Sequence, residues 1–350
     1  MKKLAVALLA LFILVGCGSG SGEAKQELRV FNWGEYIDES LITEFEKEFN
    51  VKVIYDKFES NEAMYTKLQD GSKYDILVPS DYMTQRMREE GLLQKVDYSK
   101  VPNYENVLPN LKGRHMDPTN EYTVPYFWGN VGILYNKNNV DVADLESQGW
   151  NILMNEKYKG KLYFYDSERD AFMIALKAHG YSMNTTDPAE LEVAYNWLVD
   201  MRKTMDAIYV TDEVIDGMAT GVKDMAVMYS GDANYVLSEN PDMAFYSPAE
   251  GTNTWVDAMV IPANAPNPEL AHTWMNYMID AESSKAITEA IGYTSPIQSV
   301  IDDVTGPGGT YEGIASYVTR TGYAKDEEFF YDADMKVILS DYWQRIKATN

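Results

Sequence analysis

The stretch GTNTWVDAMVIPANA, residues 251–265, places an indole and a carboxylate two positions apart. Trp255 and Asp257 stand at the mouth of an apolar run that Pro262 ends. In an extended strand, side chains two residues apart point to the same face, so the ring and the acid would project side by side. The π face of an indole attracts an ammonium group, and a carboxylate adds a charge-assisted hydrogen bond. The pair suits an organic cation, although a packed tryptophan beside a solvated aspartate is the simpler interpretation of one such pair.

Further aromatic and acidic residues recur at the ends of predicted strands or in the loops that follow them. These are Trp33, Glu35, Tyr36, Tyr82, Tyr229 and Tyr293. Core aromatics are expected inside strands and helices, so this placement favours a cleft. Two acidic residues could belong to the same site, but each also has a purely structural interpretation. Asp170 follows Ser167 in an S-x-x-D pattern close to a helix capping box, and Asp232 could be a turn residue or a helix cap.

The first part of the mature chain is predicted to alternate between strands and helices, and these elements position several of the candidate residues. Strands are predicted at 28–32, 51–55 and 74–79, with helices between them and after the third. The βαβαβ order implies a parallel open sheet, in which ligands bind at the carboxyl ends of the strands. The loops with Trp33 and Tyr82 lie at those ends. No glycine-rich phosphate motif follows the first strand, which disfavours dinucleotide binding.

The second half of the chain predicts another α/β unit. The aromatic, proline-broken stretch 122–129 and a strand at 131–136 mark a crossover between lobes. The remaining predicted elements are strands at 162–165 and 225–230, helices at 166–180 and from Asp187, a helix around 270–280, and a C-terminal helix at 332–347. The fold class is therefore α/β.

Composition narrows the possible partners. A chain of 350 residues fits two domains, and 45% hydrophobic with 24% charged residues is typical of a soluble globular protein. The formal net charge is −24, from 30 basic and 54 acidic residues. Nucleic acid is an improbable partner because phosphate binding needs clustered cationic side chains. The same acidity favours cation binding, and 26 Tyr and 7 Trp supply aromatic faces.

The N-terminus predicts export and lipid anchoring. Lys2 and Lys3 precede an apolar segment at 4–15 that is too short to span a membrane, so residues 1–17 are interpreted as a signal peptide with its processing cysteine. LVGC, ending at Cys17, resembles the lipobox of bacterial lipoproteins. Cys17 is the single cysteine, which excludes an intramolecular disulfide. Residues 18–26 (GSGSGEAKQ) are predicted to be a flexible tether.

The mature chain resembles the spermidine/putrescine-binding proteins of bacterial polyamine ABC importers. The motifs that carry the resemblance are FNWGEY (31–36), ESNEAMYTKL (59–68), VPSDYM (78–83), EGLLQKVD (90–97), VPYFWG (124–129), YKGKL (158–162), NTTDPAE (184–190), WVDAMVIPANA (255–265) and IGYTSP (291–296). Three positions depart from the common pattern. Gly34 stands where Thr is frequent, Tyr229 where Trp is common, and Ser167 where some members carry an acid.

The resemblance implies a two-lobed periplasmic-binding-protein fold whose discontinuous lobes close over the ligand. The implied lobes are 27–131 plus 257–302 and 132–256 plus 303–350. The implied polyamine-binding residues are Trp33, Glu35, Tyr36, Tyr82, Asp170, Tyr229, Trp255, Asp257 and Tyr293, and further candidates are Ser80, Asp81, Ser167 and Asp232. The expected protein is an extracytoplasmic, lipid-anchored monomer that captures putrescine or spermidine for a membrane permease and needs no cofactor.

Two other classes of function remain as alternatives. A secreted hydrolase could use paired carboxylates such as Asp170 and Asp257, although no nucleophile elbow, zinc signature or P-loop accompanies them. An adhesion or structural lipoprotein would lack a saturable small-ligand site. A metal site is not expected, because the three histidines are scattered and acidic residues do not cluster in one compact loop.

Overall fold

The computed structural model describes residues 25–349 of the 350-residue chain. The predicted signal peptide, Cys17 and most of the predicted tether lie outside the described residues. Within residues 25–349 the strands are β1 (Glu27–Trp33), β2 (Lys52–Phe58), β3 (Ile76–Leu77), β4 (Leu93–Gln94), β5 (Val124–Asn136), β6 (Leu162–Tyr165), β7 (Ile208–Val210), β8 (Met225–Tyr229), β9 (Met243–Tyr246), β10 (Thr254–Met259) and β11 (Ile261–Pro262).

Helices surround these strands. The α-helices are α1 (Ser40–Glu48), α2 (Asn61–Gln69), α3 (Asp81–Glu89), α4 (Val142–Gln148), α5 (Glu168–Ala178), α6 (Pro188–Thr204), α7 (Glu213–Ala219), α8 (Ser230–Glu239), α9 (Pro268–Met278), α10 (Ala281–Ile291), α11 (Gln298–Thr305) and α12 (Ala333–Lys347). Short 3-10 helices occur at Tyr98–Lys100, Pro102–Asn106, Pro109–Leu111, Gly149–Met154, Glu156–Tyr158 and Ala315–Tyr317.

The first lobe is built around a parallel sheet in the order β2-β1-β3. This confirms the predicted βαβαβ unit. β3 is shorter than the predicted strand 74–79, because the chain turns away after Leu77 and forms antiparallel bridges with the segment 257–260. One of these bridges joins Ser80 to Asp257. The departure of β3 from the sheet therefore brings two sequence-predicted site positions together.

The strand β5 connects the two lobes. Its first half pairs antiparallel with β10, and its second half pairs with β8 and β9. The proline-broken stretch predicted at 122–129 is part of one continuous strand. Pro125 is accommodated where the register with β10 shifts between Asp257 and Ala258, since an irregularity of this kind tolerates a residue that has no N–H to donate.

The second lobe contains the sheet order β10-β5-β8-β6-β7, with β9 added to β5. α12 packs against this lobe: the ring of Tyr342 lies 4.8 Å from that of Tyr195, and Ser340 donates a hydrogen bond to Glu168. The predicted C-terminal helix is confirmed, with Asp332 capping its N-terminus by accepting from Met335 N at 2.9 Å.

The hydrophobic core is continuous between the lobes. One cluster contains most of the buried apolar side chains of the first lobe. In this cluster the ring centroids of Phe45 and Trp274 lie 4.9 Å apart. A second cluster contains Phe31 of the first lobe together with Phe172 and Trp343 of the second. The lobes thus contact each other through apolar side chains, while the exact residue bounds of each lobe stay a prediction.

Candidate ligand-binding cleft

A row of aromatic rings runs through the region where the lobes meet. Tyr36 contacts Tyr293 at 5.0 Å between ring centroids, and Tyr293 contacts Trp255 at 5.5 Å. The row continues from Trp255 to Tyr229 at 6.1 Å and from Tyr229 to Tyr165 at 4.9 Å. Four of these five residues were predicted from the sequence. Their rings offer the alternating π faces and edges that can hold alkyl chains and ammonium groups.

Two glycines make this row possible. A Cβ atom at Gly129 of β5 would lie 2.8 Å from the Trp255 ring, which real side chains do not tolerate. A Cβ atom at Gly231, in the first turn of α8, would overlap the ring of Tyr293. Glycine therefore lets the backbone of both elements approach the aromatic rings directly.

Asp257 lies beneath this row with a carboxylate that is not fully satisfied. Its side chain is buried, and Oδ1 forms no hydrogen bond among the described residues. Burial raises the pKa of Asp257 from 3.8 to about 7, and nearby Ser80 and Tyr36 lower it only in part. A buried polar atom without a partner is uncommon and destabilising, so Oδ1 is available to a ligand that donates hydrogen bonds.

Asp81 repeats this arrangement at the N-terminus of α3. Its Oδ1 accepts from the backbone N–H of Tyr82 at 2.7 Å, whereas the buried Oδ2 has no partner among the described residues. Burial raises the pKa of Asp81 well above its usual value, and the negative charges of Glu328 and Asp257 raise it further. Two neighbouring carboxyl groups with free buried oxygens form a site that a cation would stabilise.

Asp170 lies at the other end of the aromatic row, on α5 of the second lobe. The Tyr229 hydroxyl donates to Asp170 Oδ2 at 2.7 Å, and Asn253 Nδ2 donates to Oδ1 at 3.4 Å. Ser167 caps the helix by accepting from Asp170 N at 3.4 Å. The carboxylate therefore bonds to Tyr229 and Asn253, while Ser167 performs the capping. Burial raises the pKa of Asp170.

Asp232 is in the first turn of α8, next to the aromatic row. Burial raises its pKa to about 7, and the Tyr293 hydroxyl lowers it in part. A helix N-terminus favours the ionised form of an acid, which opposes the effect of burial on Asp232. Asp232 is the third residue of α8, whose N-cap is Tyr229, so it is neither a turn residue nor the helix cap, and the ligand-binding interpretation stays a prediction.

Three predicted residues do not join the row. The Glu35 side chain is 79% exposed and lies 4.0 Å from Lys57. Trp33 packs on Phe58 at 4.6 Å between rings. Tyr82 is buried where the lobes meet but outside the row, with its hydroxyl accepting from Asn61 Nδ2 at 3.0 Å. The indole N–H of Trp33 is buried and has no partner among the described residues, as is that of Trp255.

Sequence reasoning missed three residues of this region. Tyr165 extends the aromatic row, and it lies at the end of a predicted strand like the rings that were found. Asn253 bonds Asp170 and stands two residues before Trp255, so the same two-residue spacing indicates it. Arg169 places its guanidinium 3.8 Å from the ring centroid of Tyr82, across the lobes, and no sequence pattern distinguishes it from a solvated arginine.

Other kinds of site find no support in the part of the chain that the structure describes. No group of three or more His, Asp, Glu or Cys side chains between residues 25 and 349 could hold a metal ion. Over the same residues, no helix has both the length and the apolar character needed to cross a bilayer. The arrangement offers separated acids, Asp81 and Asp257 on one side and Asp170 on the other, joined by aromatic faces.

Comparison with known proteins identifies the family of this chain. Residues 40–309 match the family described as bacterial extracellular solute-binding protein. The spermidine/putrescine-binding periplasmic protein of Escherichia coli K12 is 37% identical over 300 residues, which is 85% of each chain. The spermidine/putrescine ABC transporter substrate-binding protein PotD of Streptococcus pneumoniae has the same fold, with a TM-score of 0.77 and 34% identity over 93% of this chain and 99% of that one.

A third relative is also a solved structure. The TpPotD lipoprotein of Treponema pallidum is 26% identical, with a TM-score of 0.78 over 92% of this chain and 99% of its own. These structures confirm the predicted two-lobed α/β fold, and the relatives are binding proteins, so the hydrolase alternative is set aside. The chain therefore belongs to the bacterial extracellular solute-binding proteins, in the spermidine/putrescine-binding group that its motifs resemble, and is not an enzyme.

Proposed function

We propose that the protein binds a polyamine, putrescine or spermidine, in the cleft between its lobes and delivers it to an ABC importer. The observation that carries this proposal is the pair of buried carboxylate oxygens without partners, on Asp81 and Asp257, beside the aromatic row. A polyamine is an alkyl chain with ammonium groups. The ammonium groups can donate hydrogen bonds to the two carboxylate oxygens, and the alkyl chain can pack on the aromatic rings. The names of the E. coli and S. pneumoniae relatives support the same ligand class.

The proposal assigns a role to each part of the cleft. Asp257 and Asp81 bind one ammonium group, and Asp170, held by Tyr229, binds another. Trp255 and Tyr293 pack on the methylene groups between them. Because the contacts come from both lobes, the ligand favours the closed form over the open form only through its better contacts there.

Calorimetric titration tests the proposal most directly. We expect saturable one-to-one binding of putrescine, cadaverine, spermidine or spermine, and no binding of neutral sugars or of amino acids. Small-angle scattering at saturating ligand is expected to show a more compact particle than without ligand. Absence of heat with all four amines, or binding of a sugar instead, contradicts the proposed function.

A substitution at Gly231 tests the contribution of the aromatic row. In Gly231→Ala the new methyl group displaces the Tyr293 ring, so affinity for putrescine and spermidine is expected to fall by about 2- to 30-fold, the equivalent of a cation–π contact of roughly 0.5–2 kcal/mol. Ser238→Ala, at the exposed end of the same helix, is the matched control. Equal affinities of both variants and the parent would show that Tyr293 takes no part in binding.

The proposed location is outside the cytoplasm, with a lipid anchor at Cys17. The name of the T. pallidum relative supports a lipoprotein. We expect Cys17→Ala to leave folding and polyamine affinity unchanged but to release the protein from the membrane fraction, since a single acyl chain binds marginally and a diacylated cysteine retains it. Fractionation measures this, and a variant that sediments with membranes like the parent contradicts the anchor.

A further inference from the structure

The segment 326–331, called the strap below, runs over the surface of both lobes near the C-terminus. Its Glu327 side chain is fixed to the second lobe: the carboxylate pairs with Lys177 Nζ at 2.6 Å. The same carboxylate accepts from Ser182 Oγ and from Met183 N, both at 2.8 Å. Lys177 is almost fully buried, so this anchor is shielded from solvent.

The backbone of the strap is fixed on the same side. Glu327 N donates to Thr252 O at 2.9 Å, and Thr254 N donates to Glu327 O at 2.8 Å. Asn184 then holds the next turn, donating from Nδ2 to Glu328 O at 2.7 Å and accepting from Phe330 N at 2.9 Å. These bonds attach the strap to the second lobe and to the start of β10.

The opposite side of the strap contacts the first lobe through fewer and different bonds. Glu328 pairs with Arg114 at 3.0 Å, with side chains only 23% and 17% exposed. The Phe330 ring lies 3.9 Å from that of His115. Tyr331 N donates to Gln85 Oε1 at 2.8 Å. These contacts join residues of different lobes, so a hinge motion that separates the lobes must break them.

We propose that the strap is a latch whose first-lobe contacts, led by the Arg114–Glu328 ion pair, stabilise the closed form whichever polyamine is bound. This inference rests on the proposed function, because it assigns regulation of the same cleft. The ion pair is largely shielded from solvent, so salt screens it less than an exposed pair. The latch contributes to affinity by raising the population of the binding-competent form.

Two single variants test the latch. Glu328→Gln and Arg114→Gln each remove one charge while keeping side-chain shape. We expect each to lower the affinity for putrescine and for spermidine by the same factor, about ten-fold, and to speed up dissociation. The double variant is expected to be no weaker than either single variant, because both remove the same contact.

Arg114→Gln separates the latch from simple electrostatics. The charges of Glu328 and Arg114 act on the cleft with opposite signs, so electrostatics alone would change the affinity of the two charge variants in opposite directions. The latch predicts weaker binding. Stronger binding by Arg114→Gln, affinities within two-fold of the parent, or a loss limited to one polyamine would each overturn the proposal, the last because it indicates a direct ligand contact.

Controls keep the test specific. Asp224→Asn disrupts the Lys161–Asp224 pair, which has the same 3.0 Å distance but lies within the second lobe, and is expected to change affinity less than two-fold. Gln85→Ala tests the latch through the Tyr331 amide if either charge variant fails to fold. A parent protein that binds no polyamine rejects the proposed function, whereas a binding parent with unaffected variants rejects the latch alone.

Discussion

Asp257→Asn is expected to weaken polyamine binding by roughly 30-fold to several thousand-fold. The substitution keeps the shape of the side chain but removes the charge, so a desolvated ammonium loses its partner. Removing one member of such a pair typically costs roughly 2–5 kcal/mol. The affinity is measured by calorimetric titration with putrescine and spermidine, beside a thermal melting curve.

Glu35→Gln is the matched control for this experiment. Glu35 was also predicted to bind the ligand, but its side chain is exposed and lies beside Lys57, so the variant is expected to change affinity less than about three-fold. The melting temperature separates binding from folding, since a purely structural aspartate would alter stability and leave affinity intact. Parental affinity in Asp257→Asn rejects its assignment as the anchor.

Polyamine affinity is expected to rise steeply between pH 5 and pH 8. Burial raises the pKa of both Asp257 and Asp232 to about 7 in the ligand-free protein, so each is about 1% ionised at pH 5. Primary amines stay protonated throughout this range. Because Asp257 must ionise to bind the ammonium group, its protonation lowers the affinity at pH 5 by about 100-fold relative to pH 8.

The assignment of this pH dependence can be checked in two ways. Asp257→Asn should give a shallower dependence of affinity on pH than the parent. In the ligand-free protein, both acids have a higher pKa when folded than when unfolded. They therefore make the protein less stable as the pH rises from about 4 to 7, and this penalty is complete above about 7. Affinity that is constant from pH 5 to 8 contradicts the involvement of these acids.

Much of the fold could be predicted because periodicity and caps act locally. The βαβαβ unit, the parallel first sheet and the C-terminal helix all follow from short-range patterns. β3 and β5 could not be predicted in full, because their extent depends on pairing with residues 254–260, far away in sequence. From local sequence alone, Pro125 predicts the end of a strand. In the structure it lies inside β5, because the register between β5 and the distant strand β10 shifts at this point.

The site residues that could be predicted are those that follow one rule, an aromatic ring at a strand end or in an adjoining loop. Aromatic rings at strand ends identified Tyr36, Tyr229, Trp255 and Tyr293, and the structure brings them into one row. Glu35 also follows a strand end, but its side chain is exposed beside Lys57, whereas Asp81 and Asp257 are buried. The role of Arg169 could not be predicted from the sequence, because its contact with Tyr82 joins residues of different lobes.

The route of β5 through both lobes also determines the order in which the chain can fold. Asn130 pairs with Thr254, so the first lobe remains incomplete until the chain has passed through most of the second. Until then β5 presents an unpaired edge, and Phe45 lacks its partner Trp274. Such non-local pairing slows folding and leaves strand edges open to other chains. A chain that ends before residue 254 would therefore be prone to aggregation, although its predicted βαβαβ unit is present in full.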